Sequence, residues 1–483
     1  MTRWQVPGAL PALSAPPEGN QAGYQSLLRR RAQAGAPSGL DPLWLPGRLF
    51  GFQQHLAEWA IRQGRGALLA DTGLGKTLIE LTWAQNVYQH TGRPVLLLTP
   101  LTVGAQVTAE AALLGVEAAI SRDGRVTAPV TVANYELLHR FDHDKFAGVA
   151  ADESSILKDF NGARRAMVTE FLRTVPYRLL ATATAAPNDH TELGTSSEAL
   201  GYLGHVDMLN RFFTSTQQSA ALAGGLWRDR AADSGWRLKG HARDPFWRWV
   251  ASWARALRRP SDLGFPDDGF ILPPLEYRQH VTSGCPDDAS DDGTLFSVPA
   301  AGLAAEREEA RRTVAQRCEL AAQLLSDGQP GVAWCHRNDE ADLLERLIDG
   351  AVQVSGTDST DVKEAKLTAF AAGEIRVLVT KPAIAGRGLN WQHCAHATYF
   401  PTHSYESLYQ ATRRMWRFGQ LRPVTIDVVT APGGTRALAS LQRKAALADE
   451  MFTELIARMR DAQAVPRAAR HETAVEVPAW AAC

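Results

Sequence analysis

Short apolar runs alternate with longer stretches of helical hydrophobic periodicity, and this alternation occurs twice along the chain. The first block of apolar runs lies at residues 66–70, 95–99, 130–133, 146–152 and 177–182. The second block lies at residues 331–335, 352–356, 375–380, 397–400 and 424–429. Such alternation is typical of β-α-β units, in which helices cover a parallel sheet. The pattern therefore predicts an α/β fold with two parallel-sheet lobes in tandem.

Helical periodicity accounts for much of the remaining chain. It predicts helices at 77–90, 338–348 and 405–417, and a long C-terminal helix at 436–459. The segment from 193 to 274 is rich in Trp, Arg and Phe and lacks the rhythm of strands. We predict a mainly helical insertion there, with one helix that begins near Asp244 and continues through Leu257.

These patterns divide the chain into five parts. They are an N-terminal extension at 1–44, a first lobe at 45–192, the insertion with an acidic linker at 193–300, a second lobe at 301–432, and a C-terminal helix with a flexible tail at 433–483. A chain of 483 residues is long enough for more than one hydrophobic core.

Composition indicates the cellular compartment but does not identify the function. With 51 Lys and Arg against 52 Asp and Glu, the net charge neither indicates nor excludes nucleic acid. The five cysteines stand far apart, which favours a reducing compartment and offers no zinc-binding spacing. No apolar run approaches the ~20 residues that span a bilayer. We therefore expect a cytoplasmic protein with no membrane partner.

The link between the first apolar run and the first helix has the character of a phosphate-binding loop. Its glycines allow the backbone to approach phosphate, and the helix N-terminus offers unpaired N–H groups. Lys76 would reach the β- and γ-phosphates of ATP, and the Thr77 hydroxyl would hold Mg²⁺. Ala70 replaces the usual leading glycine, and an ordinary turn into a core helix is the alternative. The candidate nucleotide-binding residues are Thr72, Gly73, Leu74, Gly75, Lys76 and Thr77.

Two adjacent acids, Asp152 and Glu153, follow another apolar run of the first block. Acids in this position lie at the carboxyl edge of the sheet, where α/β proteins bind ligands. Asp152 would hold Mg²⁺, and Glu153 would orient or deprotonate the water that attacks the γ-phosphate. The alternative is an exposed acidic turn that caps the next helix. Location in the same block as the phosphate loop favours the catalytic interpretation.

The order of these and further segments resembles the superfamily 2 helicase-type ATPases, and within them the Swi/Snf-like group of double-stranded DNA translocases. The resemblance covers residues 49–429 and implies that both lobes are RecA-like. The segments that carry it are LFGFQQ at 49–54, LLLTPLTVGAQ at 96–106, NYELL at 134–138, DESS at 152–155, ATATAAPND at 181–189, GRGLN at 386–390 and QATRRMWRFGQ at 410–420.

The resemblance implies roles for individual residues. Gln53 would recognise adenine, and Gly388 would belong to the nucleotide site. Thr182 and Thr184 would couple the ATP state to the nucleic-acid groove. The residues implied to contact nucleic acid are Pro100 and Asn390.

The chain departs from the group at two of these segments. Ser154 and Ser155 stand where the group has Gly-His or Ala-His, and Ala183 and Ala185 stand where Gly and Pro are commoner. In this respect the chain resembles the compact members from phages and bacterial mobile elements.

The last segment carries two arginines three positions apart, Arg414 and Arg417. On a continuous helix this spacing places both side chains on one face. Guanidinium groups from the second lobe would then stabilise charge on the transferring phosphoryl group. A solvated basic helix face is the alternative. We expect a composite ATP site, with the phosphate loop, metal and water on the first lobe and the arginines on the second.

Three functional hypotheses follow. The favoured one is an ATP-driven translocase on double-stranded DNA that need not separate the strands. The second is a strand-separating helicase, for which single-stranded DNA is also a partner. The third is a nucleotide-switched DNA-binding subunit of a phage, defence or restriction assembly, with protein partners. The sequence does not distinguish a monomer from an oligomer.

The Trp- and Arg-rich insertion has two interpretations. Its arginines would grip phosphate and its aromatic residues would lie near bases, or its aromatic face would pack on a lobe with the arginines solvated. Packing is favoured. The arginines in question are Arg248, Arg255, Arg258 and Arg259.

Overall fold

The computed structural model of the protein describes residues 37–100, 103–158, 162–186, 188–215, 235–282, 303–386 and 390–464. The strands in this part of the chain are β1 (Arg65–Ala70), β2 (Val95–Thr99), β3 (Ala118–Ile120), β4 (Val130–Asn134), β5 (Gly148–Asp152), β6 (Tyr177–Thr182), β7 (Phe213–Ser215), β8 (Trp236–Leu238), β9 (Ala254–Leu257), β10 (Leu275–Val281), β11 (Gly331–Trp334), β12 (Ala351–Gln353), β13 (Val377–Thr380), β14 (His396–Tyr399) and β15 (Val424–Thr430).

The α-helices are α1 (Gly51–Gln63), α2 (Lys76–Thr91), α3 (Gly104–Leu114), α4 (Ala163–Thr174), α5 (Leu193–Leu200), α6 (His205–Phe212), α7 (Arg243–Trp253), α8 (Leu303–Arg312), α9 (Val314–Leu324), α10 (Asn338–Leu347), α11 (Thr360–Ala371), α12 (Pro382–Ala385), α13 (Tyr405–Thr412) and α14 (Thr435–Ala464). The acidic linker predicted near residues 285–294, the tail after residue 464 and the first 36 residues of the N-terminal extension lie outside the described residues.

Two parallel sheets organise the molecule. The first sheet has the order β3-β4-β2-β5-β6-β1-β9 and the second has the order β10-β15-β14-β11-β13-β12. All their strand pairs are parallel. The predicted α/β fold with two parallel-sheet lobes is therefore confirmed. In the first lobe β6 separates β1, which precedes the phosphate loop, from β5, which precedes the acids.

The segment between the lobes contributes strands to both sheets, which the sequence did not predict. β9 pairs with β1 along Ala67 to Ala70, and β10 pairs with β15. The helix predicted to continue through Leu257 ends at Trp253. The next four residues extend because their backbone completes the ladder of β1, and this long-range pairing outweighs a local helical pattern.

The aromatic face of α7 packs into the first lobe. Phe246 and Trp253 are fully buried and Trp249 is nearly so, all within one apolar core with β6 and β9 residues. The packing interpretation of the insertion is confirmed, but its arginines are not simply solvated. Arg255 lies 4.6 Å from the ring centroid of Trp59 and Arg258 pairs with Asp449.

The C-terminal helix α14 joins the two lobes. It follows β15 of the second sheet, yet Met451, Phe452 and Leu455 are buried in the core of the first lobe. Arg243 of α7 donates to Glu450 and Glu454 of α14, each at 2.7 Å. Within the described chain, no helix combines the length and the hydrophobicity that crossing a membrane demands.

Candidate active site

The predicted phosphate loop, the two adjacent acids and Thr182 lie at the carboxyl edge of the first sheet. β1 ends at Ala70 and leads into the phosphate loop, β6 ends at Thr182, and β5 ends at Asp152. Because β1, β6 and β5 are neighbours in the sheet, their carboxyl ends lie side by side. The second-lobe segment 405–420 lies against this edge through several side-chain contacts.

The phosphate loop has the backbone conformation that its glycines permit. Gly73 and Gly75 have φ angles of 83° and 76°, in the left-handed region. A Cβ on Gly75 would lie 2.3 Å from Nε2 of Gln53. Gln53 donates through Nε2 to the carbonyl oxygen of Leu74 at 3.0 Å and accepts from the backbone N–H of Phe50 at 3.0 Å. Gln53 thus buttresses the loop, and its contact with adenine stays a prediction.

Lys76 and Thr77 lie at the start of α2, directly after the loop. The Lys76 ammonium donates to the carbonyl oxygens of Ala70 at 3.0 Å and Asp71 at 3.4 Å, so it folds over the mouth of the loop. The Thr77 hydroxyl lies near the carboxylate of Glu110 on α3. A left-handed glycine loop, a helix N-terminus, a lysine and a hydroxyl beside carboxylates fit a nucleoside triphosphate with Mg²⁺.

The two acids after β5 differ in environment. Asp152 accepts the N–H of Glu153 at 2.9 Å, and its backbone carbonyl accepts the Tyr135 hydroxyl at 2.5 Å. Burial, reinforced by the adjacent Glu153 carboxylate, raises the pKa of Asp152 to about 7. Among the described non-glycine residues, only Glu153 has a positive φ, 51°. Such strain clusters at functional sites.

The Glu153 side chain contacts residues of both lobes. Its Oε2 accepts from the Thr182 hydroxyl at 3.4 Å and from the Gln410 side-chain amide at 3.4 Å. The Thr182 hydroxyl in turn accepts the backbone N–H of Thr184 at 3.0 Å. Thr182 and Thr184 are both buried. One carboxylate therefore connects the DESS segment at 152–155, the ATATAAPND segment at 181–189 and the second lobe.

The helix predicted to carry Arg414 and Arg417 ends before them, at Thr412. The prediction that both arginines lie on one helix face is therefore wrong. Gln420 holds the chain in turns instead, since its amide donates to the carbonyl oxygens of Gln392, Cys394 and Met415 at 3.0–3.2 Å. Beyond Thr412 only part of the helical hydrogen bonding continues, as from the backbone N–H of Trp416 to the carbonyl oxygen of Thr412 at 3.0 Å.

Arg414 is nevertheless buried, and Arg417 is partly buried. Arg414 is 3% exposed, and its Nε donates to the carbonyl oxygen of Gln410 at 3.5 Å. Burial lowers the pKa of Arg417 to about 10, opposed by the first-lobe carboxylate of Glu110. The Nε of Arg417 is buried without a hydrogen-bond partner among the described residues. Arg417 thus faces the first lobe with donor capacity left for an anion.

A further buried contact between the lobes at this edge was not predicted from the sequence. Arg413 and the Tyr409 hydroxyl both donate to the carboxylate of Asp71, the residue that opens the phosphate loop. Asp71 also accepts the N–H of Thr72 at 2.6 Å. The one available signal was the i,i+4 spacing of Tyr409 and Arg413, which places both on one side of α13.

A second residue that the sequence did not indicate is Glu80, one helical turn after Lys76 on α2. Glu80 is fully buried, and neither carboxylate oxygen has a hydrogen-bond partner among the described residues. Burial, followed by the charge of Asp152, raises its pKa well above the ordinary value. The site therefore contains one more carboxyl group than its motifs predict.

The residues implied to contact nucleic acid are more exposed than the buried acids of the site. Pro100 follows β2 and is partly exposed, and Asn390 in the second lobe is exposed. Gly388 lies outside the described residues. Their roles stay predictions.

Solved structures that are similar to this chain include a DNA-bound ATPase core. The SWI2/SNF2 ATPase core of Sulfolobus solfataricus in complex with double-stranded DNA is similar over 86% of this chain and 96% of that chain, with 14% sequence identity and a TM-score of 0.40. No protein-family model matches the chain, and no curated protein matches its sequence. A similarity of this size gives no weight to any particular activity.

Proposed function

We propose that this protein is an ATP-hydrolysing motor that translocates on double-stranded DNA. The observation that carries the proposal is the position of Glu153, which contacts Thr182 of the first lobe and Gln410 of the second at 3.4 Å each. A water-orienting acid in this position is sensitive to the relative placement of the lobes. Hydrolysis would then accompany lobe closure and change the grip on DNA.

Each part of the site has a distinct task in this proposal. The backbone N–H groups of residues 72–77 and the Lys76 ammonium bind the triphosphate of ATP. Mg²⁺ held by Thr77 and Asp152 would neutralise phosphate charge. Glu153 orients the attacking water and accepts its proton on a carboxylate oxygen. Arg414 and Arg417 stabilise charge on the transferring phosphoryl group from the second lobe.

The proposal assigns DNA to the surface that carries Pro100 and Asn390. Contacts there would be mainly to phosphates, so binding would depend steeply on salt and little on sequence. Thr182 and Thr184 would couple the state of Glu153 to that surface, since the Thr182 hydroxyl contacts both the Glu153 carboxylate and the Thr184 N–H. Gly388 would complete the second-lobe side of the nucleotide site.

ATPase assays with duplex DNA, single-stranded DNA, RNA and no nucleic acid test the proposal. We expect duplex DNA to stimulate turnover most, and Lys76→Ala and Glu153→Gln each to abolish the stimulated rate. Triplex displacement run beside unwinding of a forked duplex separates translocation from strand separation. ATP binding without DNA-stimulated turnover in the wild-type protein would contradict the proposal.

A further inference from the structure

A second buried contact between the lobes lies beside Glu153. Glu406, in the first turn of α13, is 6% exposed although it carries a carboxylate. The Ser155 hydroxyl donates to its Oε1 at 2.8 Å, and the ammonium of Lys158 pairs with its Oε2. Ser155 and Lys158 belong to the first lobe, 251 and 248 positions before Glu406 in the sequence. Both oxygens of one second-lobe carboxylate are thus used by the first lobe.

The spacing of these residues links the contact to the catalytic acid. Glu406 and Gln410 are i and i+4 on α13, so they share one face of that helix. Their partners, Ser155 and Glu153, are two residues apart in the segment after β5. The contact of Glu406 with Ser155 therefore fixes the position of α13 along the segment after β5. That register decides whether Gln410 reaches Glu153.

Glu153 needs such external orientation. Its backbone is strained at a φ of 51°, and its two side-chain contacts are long at 3.4 Å each. A shift of α13 by about 1 Å would break the contact with Gln410, because hydrogen bonds lose most of their strength beyond ~3.5 Å. The shorter contacts of Glu406 are the ones able to resist that shift, since charge-assisted hydrogen bonds are the stronger class.

We propose that Glu406 is a positioning residue for hydrolysis, which docks α13 on Ser155 and Lys158 so that Gln410 holds Glu153 in its working orientation. This inference rests on the proposed ATP hydrolysis. In this proposal Glu406 does not bind the nucleotide. It acts through Gln410 and Glu153, and its removal should impair the chemical step more than the binding of ATP.

The test compares Glu406→Ala, Glu406→Gln and the charge exchange Lys158→Glu with Glu406→Lys against the wild type. Glu374→Ala is the matched control, because Glu374 is an exposed carboxylate of the same lobe. DNA-stimulated ATPase gives kcat and KM, and amide hydrogen exchange of residues 405–412 reports the docking of α13 without requiring turnover. Thermal unfolding of each variant establishes that it is folded.

We expect Glu406→Ala to lower kcat about tenfold or more while changing KM for ATP less than about threefold, as for a group that matters mainly in the transition state. Exchange of α13 amides should become faster. Glu406→Gln still accepts from Ser155, so its kcat should lie between those of the wild type and Glu406→Ala. The charge exchange should recover much of the kcat that Glu406→Ala loses.

Two results would overturn the inference. One is unchanged kcat and unchanged α13 exchange in Glu406→Ala. The other is a loss of kcat that is accompanied by a lower midpoint of thermal unfolding and is not recovered by the charge exchange. That result would indicate a merely structural role. Absence of turnover in the wild type would instead contradict the proposed function, and the exchange rates would then decide on the docking contact by themselves.

Discussion

Removing the guanidinium of Arg413 is the most informative single perturbation of the contact between the lobes. Arg413 and Asp71 pair with their side chains only 9% and 11% exposed. The guanidinium carbon also lies 4.2 Å from the ring centroid of Trp416 and 5.1 Å from that of Tyr409. Arg413→Ala therefore leaves the Asp71 carboxylate buried beside the phosphate loop without its cation.

The size of the effect follows from this burial. Breaking a buried ion pair by removing one partner costs about 3–5 kcal/mol. The Tyr409 hydroxyl still donates to Asp71 in the variant and the pair is slightly exposed, so we reduce the cost to about 2–3 kcal/mol. The lobes relieve the cost by separating. The closed state should then lose stability by a factor of about 30 to 150 relative to the open state.

The assay is DNA-stimulated ATPase over a range of ATP concentrations. We expect kcat/KM of Arg413→Ala to fall by a factor of that size. Combining it with Asp71→Asn should recover part of the loss, because the unpaired charge is gone and the bond to the Thr72 N–H can persist. Arg436→Ala, at an exposed arginine in the first turn of α14, is the control. Wild-type kcat/KM in Arg413→Ala, or no gain from adding Asp71→Asn, would show that this ion pair does not hold the lobes together.

Three further predictions concern the first lobe. Leu455→Ala on the fully buried face of α14 should lower the free energy of unfolding of that lobe by about 2–5 kcal/mol in urea titrations, whereas exposed Leu113→Ala should change it by less than about 0.5 kcal/mol. Glu80→Gln should stabilise the Mg²⁺-free protein increasingly as the pH rises from 5 to 7, by up to about 1.4 kcal/mol per pH unit. Because buried Glu80 has a raised pKa, the folded wild-type protein retains a proton that the unfolded chain releases, and its stability falls as the pH rises. A difference in unfolding free energy between the wild type and the variant that does not change with pH would contradict this prediction. Gly75→Ala should abolish binding of a fluorescent ATP analogue, because a Cβ at a φ of 76° is strained and would lie 2.3 Å from Nε2 of Gln53; retained affinity would contradict it.

The parts of the site that the sequence predicts are those made by neighbours in the chain. The glycines and Lys76 act within one strand-loop-helix unit, and Asp152 and Glu153 follow directly from the end of β5. Strands at Val95–Thr99 and Tyr177–Thr182 were predicted with their observed limits, since continuous apolar runs identify buried parallel strands.

The missed parts depend on pairing between distant segments. Asp71 meets Arg413 across 342 positions, and Ser155 meets Glu406 across 251. Neither pair has a local pattern, because the specificity lies in the docking of α13. Tertiary bonds also end α13 at Thr412 and draw Ala254–Leu257 into the first sheet, where local periodicity predicted helix at both places.

In the proposed function the second lobe completes the pocket in which ATP is hydrolysed. Rapid-quench measurement of a single turnover of ATP, with duplex DNA present, tests it directly in Arg414→Ala and Arg417→Ala. We expect at least one variant to bind ATP with near wild-type affinity and to hydrolyse it about 10³-fold or more slowly, the size typical of arginines that stabilise a transferring phosphoryl group. Wild-type rates of hydrolysis in both variants would contradict it.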